Sequence, residues 1–462
     1  MASSLRGKNT QATQASTNDE LTMRKVLIAN RGAIARRIVR ACHEMGLQSV
    51  VVFSEADAGA PYLAEATEAF PLAGVRPADT YLNLPLLLAI ARDSGADAVH
   101  PGYGFLSENA QFAQAVVDQG MTFIGPAPEW LSRMGDKVAA RALMAKEGFP
   151  VFPGSQLLTQ STQALQIAQD IGSPVIVKPA GGGGGMGMVV VEEADALDAA
   201  LGQAAAIADR AFADSGVYLE RFIARPRHIE FQILGDGQGN AIHLYERECS
   251  IQRRNQKLLE ESPAPGIDPQ QLLAIADQGA QICARLGYDN VGTLETLFTE
   301  QQDVGFLEMN TRIQVEHAVT EAITGCDLVQ AQIRLAAGGQ LPPQPVREGF
   351  AMEVRLYAED PDTLLPSTGR LAVFRPPRMH GLRVETGYQE GQTLTPHYDA
   401  MLGKLIAQGD TREKVIGRLL VGLKAFAVQG VKTNAPLLMR ILQHDAFLAG
   451  QTDTRFVNRL LQ

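Results

Sequence analysis

Phe306-Leu-Glu-Met-Asn-Thr-Arg-Ile-Gln-Val-Glu-His317 is the stretch from which the rest of the chain is read. It begins as an apolar run ending in Glu308 and Asn310, and a second run, Val291-Gly-Thr-Leu-Glu-Thr-Leu-Phe298, precedes it. Both have the length and bulk of buried strands, yet each carries a carboxylate where an apolar residue is expected. A charge in an apolar sheet is costly unless it is paired or holds a metal. Facing strands bearing Glu295, Glu308 and the Asn310 amide would make an all-oxygen site suited to Mg²⁺ or Mn²⁺. Arg312, Gln314 and Glu316 then alternate, which in extended chain points all three side chains the same way. The plainer alternative is a surface strand with one solvated polar face.

The 462 residues are too many for one small domain and suggest two or three. With 45% apolar and 20% charged residues, the composition is that of an ordinary globular protein. No apolar run approaches the ~18–20 residues that span a bilayer, so no membrane association is expected. A net charge of −10 argues against general nucleic-acid binding. Cys42, Cys249, Cys283 and Cys326 are widely spaced without a Cys-x-x-Cys pair, which fits free thiols in a reducing cytoplasm. Residues 1–22 are polar, lack an apolar signal core and contain Asp19 and Glu20, so they read as a disordered extension.

From Met23 the pattern alternates strand and helix. Lys25–Ala29 is a buried strand, Ile34, Ile38, Cys42 and Met45 recur on one helical face, and Gln48–Phe53 is the next strand. A helix about Pro85–Ser94 and strands Ala98–His100 and Thr122–Ile124 follow, predicting an open parallel αβα sheet over 23–134. Residues 135–347 form a second unit containing a small αβ lid at about 155–225. Pro342-Pro-Gln-Pro345 marks a boundary. Short strands such as Ala351–Tyr357 and Leu402–Ile406, closed by a helix about 411–428, predict an α+β unit over 348–462.

Gly181-Gly-Gly-Gly-Gly-Met-Gly187 joins two apolar strands. Glycine lets main-chain N–H groups approach phosphate oxygens, and without a following helix and Gly-Lys-Ser/Thr this is no Walker A loop. It reads as a flap over a triphosphate, the alternative being a flexible linker. Lys137 and Lys178 flank this unit as candidate phosphate cations, or as surface lysines. Arg247 to Lys257 packs four cations into eleven residues, readable as an anion pocket or as a basic surface patch.

Together these segments resemble the biotin carboxylases of the ATP-grasp superfamily. The resemblance runs from Met23 to the C-terminus through Ile28-Ala-Asn-Arg-Gly32, His100-Pro-Gly-Tyr-Gly-Phe-Leu-Ser-Glu-Asn109, Met134-Gly-Asp-Lys137, the glycine flap, Gln252-Arg-Arg-Asn-Gln-Lys257, the opening stretch and His397-Tyr-Asp399. It implies that ATP is held by Lys137, Lys178, the flap at Gly184 and Gly185, the hinge Glu220-Arg221-Phe222-Ile223, His228 and Asn255. It also implies that Glu295, Glu308 and Asn310 hold two divalent ions. Bicarbonate would sit against Lys257, Arg312, Gln314 and the Val315 backbone, with Glu316 as general base and Arg355 facing the ureido group of biotin. In the scheme of that family, carboxyphosphate breaks into CO₂ and phosphate, phosphate takes the N1′ proton, and CO₂ is captured as N1′-carboxybiotin.

Four positions depart from the common family pattern: Asn255 for His, Met186 for Arg or Lys, Ala33 for Glu and Ala318 for Pro. None of them removes a group with an assigned chemical role. The chain shows no Met-Lys-Met-like biotin attachment segment, so the resemblance implies a homodimeric subunit working with a biotin carboxyl carrier protein and carboxyltransferase subunits. Acetyl-CoA is the leading expectation for the final acceptor, with other acyl-CoAs and urea open. Two other readings stay open: a different bicarbonate-using ATP-grasp ligase, and a silent regulatory paralogue.

Overall fold

The computed structural model describes residues 23–158, 161–181, 186–212 and 215–462. The expected extension at 1–22 and the flap positions Gly184 and Gly185 lie outside them.

Strands β1 (Lys25–Ile28), β2 (Gln48–Ser54), β3 (Glu68–Leu72), β4 (Ala98–His100) and β5 (Thr122–Phe123) form a parallel sheet in the order β3-β2-β1-β4-β5. Helix Gly32–Glu44 buries Ile34, Ile38 and Cys42 against it, as the spacing predicts. Strand β3, which the sequence reading passes over, is an edge strand whose exposure alternates and which carries Pro71. Proline is tolerated there because an edge leaves one side of the ladder unpaired.

A small antiparallel sheet follows, ordered β7-β6-β8 from β6 (Val175–Pro179), β7 (Val189–Val191) and β8 (Val217–Arg221). Its apolar face packs with helices Ser161–Ile171 and Leu197–Phe212 around Ala164, Ala168, Val177, Ala204 and Leu219. The glycine run therefore does connect two paired strands.

The central feature is an eight-stranded sheet. It is built from β9 (Arg227–Asp236), β10 (Ala241–Arg253), β11 (Gln256–Ser262), β12 (Asp289–Phe298), β13 (Val304–Asn310), β14 (Phe350–Tyr357) and the strands Leu382–Glu385 and Met401–Gly409. The order is β13-β12-β9-β10-β11-β14, then Met401–Gly409 and Leu382–Glu385. The α+β segment after Pro345 thus extends the same sheet through β11 and β14. Its own core gathers Leu259, Val354, Leu405, Leu419 and Leu438 beneath helix Arg412–Ala425 and the helices after it.

Register gives the sheet one charged row. Glu308 of β13 pairs with Glu295 of β12, Glu295 with Glu230 of β9, and Glu230 with Arg247 of β10. Cross-strand partners share a face, so these four side chains rise on one side. Ile229, Phe231, Leu294 and Phe306 fill an apolar core with helix Pro269–Leu286.

Candidate active site

A cavity of about 1010 Å³ opens between the three-stranded lid sheet and the charged row. The described residues singled out from sequence all line it. Lys137, Lys178, Glu220, Arg221, Phe222 and Ile223 stand at the lid side; His228, Asn255 and Lys257 on β9 and the β10–β11 hairpin; Glu295, Glu308 and Asn310 on β12 and β13; Arg312, Gln314, Val315, Glu316 and Arg355 at the far wall.

Lys257 is the hub. Its Nζ donates to Glu230 Oε2 (2.6 Å), Glu316 Oε1 (2.6 Å) and Glu295 Oε1 (3.0 Å). Burial alone would lower the Lys257 ammonium, but the charges of Glu230, Glu295 and Glu316 hold it well above its ordinary value. Burial would raise the Glu316 carboxyl, yet Lys257, Arg355 and Arg247 hold it well below the carboxylate range. Glu295 is depressed in the same way against burial, first by Lys257 and then by His228, whose Nε2 lies 3.1 Å from its Oε2. Each of these ions is stabilised only because its partners are present.

Arg312 donates to Glu108 Oε2 and Asn310 Oδ1, both at 2.9 Å, and to Gln314 Oε1 at 3.1 Å. Gln314 in turn donates to Glu295. Arg312, Gln314 and Glu316 do converge, but not through the extended alternation read from sequence. β13 ends at Asn310, and Glu316 stands at the position before helix His317–Thr324 with φ −81° and ψ 9°. The turn is held from below: Lys404, almost fully buried, donates to the Val315 carbonyl.

The cation-rich run 247–257 is also resolved, and it is not one anion pocket. Arg247 is fully buried in the sheet, tied to Glu230 (2.6 Å), Thr320 (2.7 Å) and Gln232 (2.9 Å). Arg253 is paired with Glu359. Arg254 and Asn255, at φ +51° and +63°, make the two-residue turn between β10 and β11. Asparagine adopts this left-handed region more readily than most residues. Gln252, the turn, Gln256 and Lys257 reach the cavity, while Arg247 shares the face of Glu230 but is fully covered within the sheet.

The lid side carries the Lys178–Glu220 ion pair across β6 and β8. Lys137 lies 2.9 Å from Glu308 Oε2. Burial works against the Lys137 charge, and Glu308 more than offsets it, so the ammonium is raised. Met186 lines the cavity as an exposed apolar side chain.

The donor set fits a divalent ion. Glu295 and Glu308 are opposed in register, Asn310 adds an amide, and the buried Asn310 Nδ2 has no hydrogen-bond partner among the described residues. Hard oxygen donors of this kind suit Mg²⁺ or Mn²⁺. His228, Glu230 and Glu295 also bring ligand atoms within 4.8 Å of one another. Lys257 already bridges that pair of carboxylates, so the group is an ion-pair cluster.

The sequence reading missed four members of this arrangement. Glu230 carries the same signal as Glu295, a carboxylate in an apolar strand. Glu108 was quoted in a motif without a role. Glu260 lies 2.6 Å from Arg355, and Arg455, from the C-terminal segment, lies over the Phe222 ring at 5.4 Å. The last two contacts join distant segments and leave no local pattern.

Residues 22–131 match the family model for the N-terminal domain of biotin carboxylase, and 353–459 match that for its C-terminal domain. Between them, 136–344 match the ATP-binding domain model of the carbamoyl-phosphate synthase L chain. The biotin carboxylase of Halalkalibacterium halodurans is 44% identical over 95% of this chain and 98% of its own length. Mouse mitochondrial pyruvate carboxylase is 44% identical over 94% of this chain and 38% of its own. The solved biotin carboxylase domain dimer of Hydrogenobacter thermophilus 2-oxoglutarate carboxylase, in complex with MgADP, ADP and bicarbonate, superposes with a TM-score of 0.92. That chain is 41% identical, over 95% of this chain and 97% of its own.

Proposed function

We propose, from the premise that this chain belongs to the biotin carboxylase family, that it is the ligase that carboxylates biotin with bicarbonate and ATP. The observation that carries this reading is the Lys257 hub. A partly buried ammonium shared by three carboxylates, beside Arg312 and Gln314, forms a pocket that can take up an anion and deprotonate it.

In the proposed mechanism, bicarbonate lies against Lys257, Arg312, Gln314 and the Val315 backbone. The Lys257 charge turned to bicarbonate is withdrawn from Glu316, so the Glu316 carboxylate becomes more basic as the substrate seats. It then accepts the bicarbonate proton while a bicarbonate oxygen bonds to the γ-phosphorus and ADP leaves. Lys137, Lys178 and His228 hold the nucleotide with the hinge 220–223, Asn255 and the glycine flap. Glu295, Glu308 and Asn310 would hold Mg²⁺ or Mn²⁺, which would neutralise phosphate charge there. Arg355 then faces the ureido oxygen, where negative charge develops once the N1′ proton is lost.

A biotin carrier protein and a carboxyltransferase are the proposed partners, in a homodimer like the Hydrogenobacter one. We take acetyl-CoA as the acceptor. Pyruvate and 2-oxoglutarate are the competing outcomes. The test is ADP release with and without bicarbonate and biotin, in the native protein and in Glu316→Gln. Loss of the biotin-stimulated rate by ~10²–10⁴-fold in the variant is expected. A variant within tenfold of native would remove Glu316 from the base role. Pairing with carriers and transferases of the three acceptor systems would identify the acceptor.

A further inference from the structure

Beyond the cavity, the charged face of the large sheet continues under the far wall. Glu260 of β11 and Glu353 of β14 are cross-strand partners, and both are fully buried. Neither carboxylate accepts a hydrogen bond among the described residues. Two such acids side by side would be strongly destabilising without cations. Two cations flank them: Arg355 Nη2 lies 2.6 Å from Glu260, and Lys404 Nζ lies 3.1 Å from Glu353.

The same Arg355 nitrogen lies 3.0 Å from Glu316 Oε2. One guanidinium is therefore held between two carboxylates, and the two have different fates. Glu316 is neutralised when it takes the bicarbonate proton, so its hold on Arg355 weakens just before the biotin step. Glu260 faces no substrate and keeps its grip throughout.

We propose that Glu260 is a positioning residue for the biotin half of the reaction, holding Arg355 toward the ureido oxygen while Glu316 is neutral. The inference rests on the reading of Arg355 given above. Glu353 completes the device. Burial pushes both acids up, Glu260 to about 7 and Glu353 to about 8, so the pair holds a proton near neutrality. Arg355 beside Glu260 and Lys404 beside Glu353 each oppose that rise, so the carboxylate of the pair that faces Arg355 is Glu260.

The experiment compares native protein with Glu260→Gln, measuring biotin-stimulated kcat and the slower bicarbonate-dependent ADP release without biotin. The ratio of the two is the readout, because a general loss of structure lowers both together. We expect the ratio to fall about 10–100-fold, the scale of losing one close charge pair. A ratio within about twofold of native overturns the proposal, whether both rates are normal or both have dropped. A native protein whose ADP release ignores both biotin and biotinylated carrier overturns the functional reading and this inference with it. Should the glutamine variant be insoluble, Glu260→Asp, which withdraws the charge by one methylene, is measured by the same ratio.

Discussion

Replacing Glu353 with glutamine should change how stability depends on pH, in a direction the structure dictates. Glu353 is wholly buried. Burial raises its carboxyl from 4.5 to about 8, against the opposing pull of Lys404 and with help from Glu260. Below pH 4.5 both folded and unfolded chains carry this proton, and the group contributes its full stability. Between 4.5 and 8 the unfolded chain releases the proton while the folded chain keeps it, so stability falls as pH rises. Each pH unit is worth about 1.4 kcal/mol, and the window sums to about 5 kcal/mol at most. Glutamine has no proton to lose and removes this slope. Relative to native protein, the variant should therefore gain stability steadily from pH 5 to pH 8. A gain of at least about 2 kcal/mol is expected after allowing for the coupled titration of Glu260. Urea unfolding of both proteins at pH 5, 6, 7 and 8 measures it, with titrations remote from Glu353 cancelling in the difference. Parallel pH profiles would refute the reasoning and mean that Glu353 is ionised in the folded protein.

Three further outcomes are expected. His317 is buried and held down to about 3 by desolvation and then by Lys404, so its contribution is full above pH 6.5 and lost as pH falls toward 3. His317→Asn should thus gain about 2–3 kcal/mol relative to native between pH 6.5 and 4.5, and equal acid sensitivity in urea unfolding would contradict it. Arg247→Met strands Glu230 and Gln232 in the sheet and should lose about 3–5 kcal/mol of stability; a loss under 1 kcal/mol would mean that Lys257 alone satisfies Glu230. Chelation should stop ADP release and added Mg²⁺ or Mn²⁺ restore it, while Glu295→Gln should raise the half-saturating metal concentration. Unchanged metal dependence in that variant would take Glu295 out of the metal site.

The site was legible where chemistry contradicts its surroundings. Glu295 and Glu308 stand out because strands that bury Leu294, Phe298 and Phe306 should not also bury carboxylates, and the structure pairs them in register. Arg247 was not legible, because which residues of a hairpin face the cavity depends on a register that is set across strands. Nor did local pattern show that β14 would join β11, since that pairing links residues about ninety apart. Strand β3 escaped because an edge strand with Pro71 has neither the apolar run nor the clean alternation of its neighbours.

The geometry also accounts for why so much charge is buried at once. Among the described residues, the row from Glu308 to Arg247 and the ladder from Glu316 through Arg355, Glu260, Glu353 and Lys404 to Glu385 occupy one continuous face. An apolar face of the same size would be more stable, but it could neither attract bicarbonate nor respond when a carboxylate is neutralised. Shared partners let the proton transfer at Glu316 be absorbed by neighbours already in place. When Glu316 takes a proton, Lys257 still has Glu230 and Glu295, and Arg355 still has Glu260. The pocket thus keeps its cations aimed while its base changes charge, which is the condition for two successive chemical steps in one cavity.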